Sequence, residues 1–168
     1  FLLVGCARSE DASVAVDMNE MAPDIVRNSG ADEEISSGTW RESTQGANTA
    51  LEFVAADGAQ LQFSLRCGER GGLILQRHGV GQGGGSSALF IAVGRERRDI
   101  AASLEEGMLR ATLAGGDSLI VALGSAATPI GVRGTGLAPL LLPPSPSLNT
   151  FVGRCAASGQ SEPAAGNV

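Results

Sequence analysis

The feature that most constrains this fold is the regular spacing of short apolar runs between turns. From Thr39 to Gly115 a candidate strand recurs roughly every ten residues. Turn pairs such as Asp57-Gly58 and Glu106-Gly107 separate the runs. Seven strands are predicted here: Thr39–Ser43, Ala50–Ala55, Gln60–Cys67, Leu73–His78, Ala88–Val93, Asp99–Ser103 and Leu109–Ala114. This spacing is typical of an antiparallel β-sandwich or a small barrel.

The remainder of the body adds two late strands and two helices. The late strands are predicted at Thr128–Val132 and Leu140–Leu142. Asp117 or Ser118 can cap a short internal helix that runs to Leu123, and Ser145-Pro146 is a typical helix start. We therefore predict a mainly β (α+β) domain of about seven to nine strands, with a C-terminal helix.

Periodicity turns two cysteines toward the core. Strict alternation in Gln60–Cys67 places Cys67 on the apolar face of its strand. In the C-terminal helix the inward positions i, i+3, i+4 and i+7 are Leu148, Phe151, Val152 and Cys155. In an exported protein these cysteines would form a Cys67–Cys155 disulfide that docks the helix. The alternative is a pair of buried free thiols.

The first residues suggest such an export route. Residues 1–6 begin inside an apolar run, and Leu3-Val4-Gly5-Cys6 resembles the lipobox of bacterial lipoproteins. This resemblance implies a truncated signal segment and lipidation of Cys6, which would anchor the chain in a membrane. In lipoproteins an aspartate directly after the lipidated cysteine favours retention in the inner membrane. Here that position is Ala7, so we expect the chain to be anchored at the periplasmic face of the outer membrane. The alternative is an ordinary buried cysteine in a first strand.

Charge separates the chain into segments. Residues 7–37 carry eight acidic residues against Arg8 and Arg27, whereas the sequence from Gly38 onward is neutral. We predict an acidic flexible tether over 7–37, a globular β domain over 38–156 and a disordered tail over 157–168. A transient helix near Met18–Val26 is the alternative for part of the tether.

Composition excludes several classes of site. All twelve basic residues are arginines, so lysine-dependent sites such as Walker loops and Schiff bases are excluded. The net charge of −6 opposes a nucleic-acid partner. The cysteines lack metal-ligand spacing, and nothing indicates a cofactor.

Few side chains offer chemistry. An enzyme would have little beyond His78, Ser86 and Asp99, and the single histidine is expected to be a solvated residue at a strand end. We therefore predict no catalytic residues. The candidates for ligand binding are Arg95, Arg97, Arg98 and Trp40. A salt-bridged strand rim explains the arginines equally well, and core packing is the alternative for the tryptophan.

The order of motifs carries a resemblance to a family. Trp40 is followed by Leu65-Arg66-Cys67, by Leu75-Gln76-Arg77 and by a Gly/Ser-rich loop, and the body closes with a Leu-Pro segment and Arg154-Cys155. In this order the body resembles a group of small alphaproteobacterial lipoproteins, sphingomonad-like in composition. The resemblance implies a fold and two structural cysteines, and it implies no reaction.

Two functions follow as expectations. The first is a lipid-anchored cell-envelope domain acting as a non-enzymatic interaction or structural module with an envelope protein partner. The second is a small periplasmic ligand-binding or enzyme-inhibitor lipoprotein, on the general plan of the lipoprotein lysozyme inhibitors. A flat surface would favour the first function, and a pocket with converging polar groups would favour the second.

Overall fold

The computed structural model describes residues 34–45, 48–58, 60–79 and 87–159. Cys6, Ser86, residues 1–33 and the tail from residue 160 lie outside the described residues. Within the described ranges the strands are β1 (Gly38–Gln45), β2 (Asn48–Ala55), β3 (Leu61–Cys67), β4 (Leu73–His78), β5 (Ser87–Val93), β6 (Glu96–Glu105), β7 (Met108–Leu113), β8 (Ile130–Gly134) and β9 (Leu140–Leu142). The helices are α1 (Ser118–Gly124) and α2 (Pro146–Ser158), and a 3₁₀ turn lies at Glu69–Gly71.

The strands form one antiparallel sheet in the order β1-β2-β3-β4-β7-β6-β5-β8-β9. The sheet curls into a half-barrel. The prediction of a mainly β domain with two helices is therefore confirmed, and the barrel alternative describes the sheet better than a two-sheet sandwich. Because β5, β6 and β7 form a meander that returns to β4, chain order and spatial order differ in the middle of the sheet.

Hydrogen bonds bring the two edges of the curled sheet together. The Ser36 amide donates to the Leu141 carbonyl at 2.8 Å, and the Leu141 amide donates to Ser36 Oγ at 3.1 Å. The Trp40 indole Nε1 donates to the Pro143 carbonyl at 2.9 Å. Ser36, which the sequence analysis assigned to the tether, thus contacts β9 and extends the edge of β1.

The core lies on the inner side of the curl. Gly134 of β8 is so close to β7 that a Cβ at this position would lie 2.7 Å from Leu109 Cδ1, although β5 and β6 separate the two strands in the sheet. Only the inner side of a curved sheet allows such an approach. Alternate strand residues and the apolar stripes of both helices fill this space, among them Phe53, Phe63, Leu65, Leu75, Ile91, Val132, Leu119, Leu123, Phe151 and Val152.

Both helices begin where the sequence predicts. The Asp117 carboxylate accepts the Leu119 amide at 2.9 Å at the start of α1. Ser145 Oγ accepts the Ser147 amide at 3.2 Å, with Pro146 in the first turn of α2. These caps satisfy amides that the first helical turn leaves without partners. Helix α2 continues to Ser158, two residues beyond the predicted end of the domain.

The Cys67–Cys155 disulfide joins β3 to α2, as predicted, with the two Cα atoms 5.0 Å apart. One part of that prediction was wrong: Cys155 is fully buried, but Cys67 is exposed. Cys67 is the last residue of β3, where the strand has passed the end of the core. Alternation predicts on which face of the sheet a side chain lies, but it does not predict how deeply the side chain is buried there.

Candidate functional site

The predicted arginine cluster does not converge on a site. Arg98 binds both carboxylate oxygens of Asp117, at 2.6 and 2.7 Å, and also donates to Ser118 Oγ. Arg95 and Arg97 are exposed at the β5–β6 turn and the start of β6. The contacts of Arg98 stabilise the start of α1 and correspond to the salt-bridged alternative.

Trp40 has the contacts of a packed residue. Its ring meets Phe53 and Phe63 edge to face, with centroids 5.3 and 6.4 Å apart. Its indole N–H is bound to the Pro143 carbonyl. The ring of Trp40 thus packs against β2 and β3, and its polar atom binds the residue that follows β9.

His78 is half-buried, whereas a solvated residue was expected. Its Nε2 lies 2.9 Å from Ser64 Oγ on the neighbouring strand. Burial, followed by the charge of Arg77, lowers the pKa of His78 below its ordinary value of 6.5, and Glu52 opposes this effect. The ring is therefore neutral at pH 7 and takes up a proton only at a pH below 6.5.

The direction of the Ser64–His78 hydrogen bond depends on the other partner of Ser64. Ser64 is only 2% exposed and also donates to Gln76 Oε1 at 3.2 Å. One hydroxyl proton cannot serve two acceptors, so a serine that donates to Gln76 accepts from His78 Nε2. In this arrangement the histidine does not take the serine proton, which a nucleophilic serine requires.

Asp99, the remaining candidate for chemistry among the described residues, is exposed on β6, opposite Phe90.

An open groove of about 520 Å³ is lined by residues of β2, β3, β4, β7 and α2. Three arginines from three elements line it: Arg66 of β3, Arg110 of β7 and Arg154 of α2. The remaining lining residues are Asn48, Thr49, Cys67, Ile74, Phe151 and Ser158. No aspartate or glutamate belongs to this lining. We call this surface the arginine groove.

The three arginines differ in how their charge is balanced. Arg110 donates to Glu105 at 3.2 Å, and Arg154 pairs with Glu42 at 3.0 Å. All four side chains are at least 40% exposed, so these pairs are open to competition from other anions. Arg66 forms no ion pair with any described residue, and its Nε is buried without a hydrogen-bond acceptor.

Hydrogen bonds to Ser103 and Arg110 hold the pKa of Glu105 below its usual value. Glu105 therefore remains a carboxylate at neutral pH and competes for Arg110 with any bound anion.

Phe151 lies beneath the Arg154 guanidinium, 5.5 Å from ring centroid to Cζ. The groove thus combines guanidinium donors with an apolar wall.

Sequence reasoning did not find this site. Arg66, Arg110 and Arg154 are separated along the chain, and only the curled sheet and the disulfide bring them together. One signal was present, because an arginine directly precedes each of the two bridged cysteines.

No family model, curated protein or solved structure matches this chain. Neither described helix is long and apolar enough to cross a membrane. The described residues also contain no cluster of three or more side chains that could hold a metal ion.

Proposed function

We propose that this chain is a lipid-anchored cell-envelope binding protein that takes an acidic ligand into the arginine groove. Of the two functions expected from the sequence, this is the ligand-binding one. A pocket with converging polar groups is the feature that distinguishes it from a module with a flat contact surface.

The observation that carries the proposal is the position of Arg66 in the groove. Three arginines line a groove whose lining has no carboxylate. Arg110 and Arg154 are paired with exposed carboxylates outside this lining, whereas Arg66 forms no ion pair with any residue that the structure describes. Guanidinium groups bind carboxylates and phosphates through paired hydrogen bonds, and charge-assisted bonds are stronger than neutral ones. A carboxylate or phosphate group in the groove would supply the missing acceptor.

The apolar wall narrows the ligand class. Ile74 and Phe151 line the groove together with the arginines. A ligand that combines an acidic group with adjoining hydrocarbon would use both kinds of surface. Asn48, Thr49 and Ser158 can add neutral hydrogen bonds that orient it.

The cellular setting of the proposal comes from the sequence and the disulfide. Disulfides persist in oxidising compartments such as the periplasm, which agrees with export. The lipobox-like residues before Cys6 supply the proposed anchor, and Ala7 supports the outer membrane. The acidic segment ahead of Glu34 then acts as the tether between lipid and domain.

The test is a binding titration with the oxidised chain. Fluorescence anisotropy of labelled hexaglutamate measures carboxylate binding, inorganic polyphosphate serves as a competing phosphate probe, and hexaglutamine is the uncharged control. We expect hexaglutamate binding that weakens with salt, because the interaction is electrostatic. Competition by polyphosphate would extend the ligand class to phosphates, whereas its failure would restrict the class to carboxylates.

Paired variants locate the site. Arg66→Gln should weaken binding about tenfold, because it removes charge-assisted hydrogen bonds. Glu105→Gln should strengthen binding, because it releases Arg110 from its partner. Arg97→Gln makes the same charge change on an exposed residue outside the groove and should leave affinity unchanged. Equal losses in Arg66→Gln and Arg97→Gln, or no binding by the wild-type chain, would contradict the proposal.

A further inference from the structure

We propose that the Cys67–Cys155 disulfide is a redox switch for the arginine groove: its reduction releases α2 and abolishes ligand binding. This inference rests on the proposed function for its ligand, and it names the regulation of that same site. It concerns the disulfide that lines the groove and the helix that forms one of its walls.

The two cysteines differ in exposure. Cys67 is exposed and lines the groove, whereas Cys155 is fully buried among the core residues of α2. Of the two, Cys67 is therefore the cysteine that a thiolate from solvent would attack. Access of this kind is one of the factors that set the rate of thiol–disulfide exchange.

The surroundings of the disulfide also favour its cleavage. Arg66 and Arg154 directly precede the bridged cysteines, and both line the groove together with Cys67. Positive charge stabilises a thiolate, both in the attacking thiol and in the departing one. An acidic reductant would be attracted by the same charges that are proposed to attract the ligand.

The exchange is an ordinary two-step reduction by a dithiol. One thiolate of the dithiol attacks Cys67 Sγ, so that a mixed disulfide forms and Cys155 leaves as a thiolate that takes up a proton. The second thiolate of the dithiol then attacks the other dithiol sulfur, which is bonded to Cys67 in the mixed disulfide, and Cys67 is released as a thiolate that takes up a proton. The chain gains two electrons and two protons, and the dithiol is oxidised to a disulfide.

Release of α2 would dismantle the groove because α2 supplies one side of it. Phe151, Arg154 and Ser158 all belong to this helix. The disulfide is the covalent link between the helix and β3. Without it, α2 is held by its buried apolar side chains, by packing against α1 and the 3₁₀ turn, and by the Arg154–Glu42 ion pair. The disulfide is not part of the strand ladders, so we expect the sheet to stay folded on reduction, although with less stability.

The experiment compares the oxidised chain, the chain reduced by a dithiol without denaturant, and Cys67→Ser/Cys155→Ser. Hydrogen exchange measured by mass spectrometry follows α2 against β3 and β4, which act as the internal control for folding. We expect exchange in α2 to accelerate about tenfold or more on reduction while exchange in β3 and β4 is unchanged. Hexaglutamate binding should be lost in the reduced chain and in the double variant, and should return on reoxidation of the former.

A second measurement tests the direction of attack. After brief treatment with glutathione, the mixed disulfide should map to Cys67, and Arg66→Gln should slow its formation. Unchanged α2 exchange on reduction, or hexaglutamate binding that survives it, would overturn the switch. Faster α2 exchange in a chain that never binds hexaglutamate would instead overturn the proposed function and leave α2 release in place.

Discussion

At the scale of single residues, the buried polar side chains form a connected pattern on the outer face of the sheet. Glu52 is 7% exposed and accepts hydrogen bonds from Arg41 Nε and Ser43 Oγ, at 3.2 and 2.7 Å. Register pairing places Glu52 opposite Ser64, and Ser64 opposite Gln76. Glu52, Ser64 and Gln76 each have a hydrogen-bond partner, as the cost of leaving a buried polar group unpaired requires.

His78 makes this polar pattern sensitive to pH. Because the folded state lowers the pKa of His78, the unfolded chain takes up a proton at a higher pH than the folded chain does. The free energy of unfolding should therefore fall as the pH drops below 6.5 and through the lower pKa of the folded state. The sequence contains one histidine, so the effect can be assigned to it.

His78→Gln tests this dependence, because glutamine can still hydrogen-bond to Ser64 but does not titrate. Urea unfolding at about pH 7.5 and about pH 5 should show a smaller loss of stability in the variant than in the wild-type chain. Carboxylates titrate in both proteins and cancel in the comparison. Parallel pH profiles for the two proteins would show that His78 does not contribute.

Some residue roles could be predicted from the sequence and others could not. The pairing of Cys67 with Cys155 followed from periodicity, because alternation and helical spacing each assign a face. The groove could not be predicted in this way. In the sequence Arg66 is an ordinary outward residue of an alternating strand. Its position beside Arg110 and Arg154 depends on β7 and α2, which are distant in the chain.

At the scale of elements, α1 depends on one residue with two roles. Asp117 accepts the Leu119 amide as the helix cap and also binds Arg98 with both carboxylate oxygens. The helix has only seven residues, so it cannot be stable without its cap and its buried face. The capping role of Asp117 could be predicted from the sequence, whereas its ion pair with Arg98 of β6 could not.

Replacement of Asp117 separates its two roles. Asp117→Ala removes both and should reduce stability by about 1–2 kcal/mol, within the range for N-cap losses. Asp117→Asn keeps a capping oxygen but loses the charge opposite Arg98, and should cost about 0.5 kcal/mol or less. Chemical denaturation measures both variants. Equal destabilisation would show that the ion pair matters more than the cap.

The C-terminal helix has a different kind of support. A disulfide between residues 88 apart removes entropy from the unfolded chain, worth about 4–5 kcal/mol on the chain-entropy model. This is comparable with the stability of a small domain. The same bond that stabilises the domain therefore controls the helix that completes the arginine groove.

At the scale of the whole molecule, strand positions were more predictable than strand order. Local alternation and turn residues located the strands, with β4 and β9 matching their predicted ranges. The pairing of β4 with β7 and of β5 with β8 depends on contacts between distant segments, which periodicity does not report. The groove is a product of that order, since it lies where β3, β4, β7 and α2 meet.

Binding of an acidic ligand in the arginine groove can be observed residue by residue. An NMR titration of the oxidised, isotopically labelled chain with hexaglutamate does so, because each amide reports its own surroundings. We expect saturable shifts that cluster at Asn48, Arg66, Ile74, Arg110 and along α2 from Phe151 to Ser158. Shifts centred on Arg95, Arg97 and Arg98 instead, or no saturable shifts at all, would contradict it.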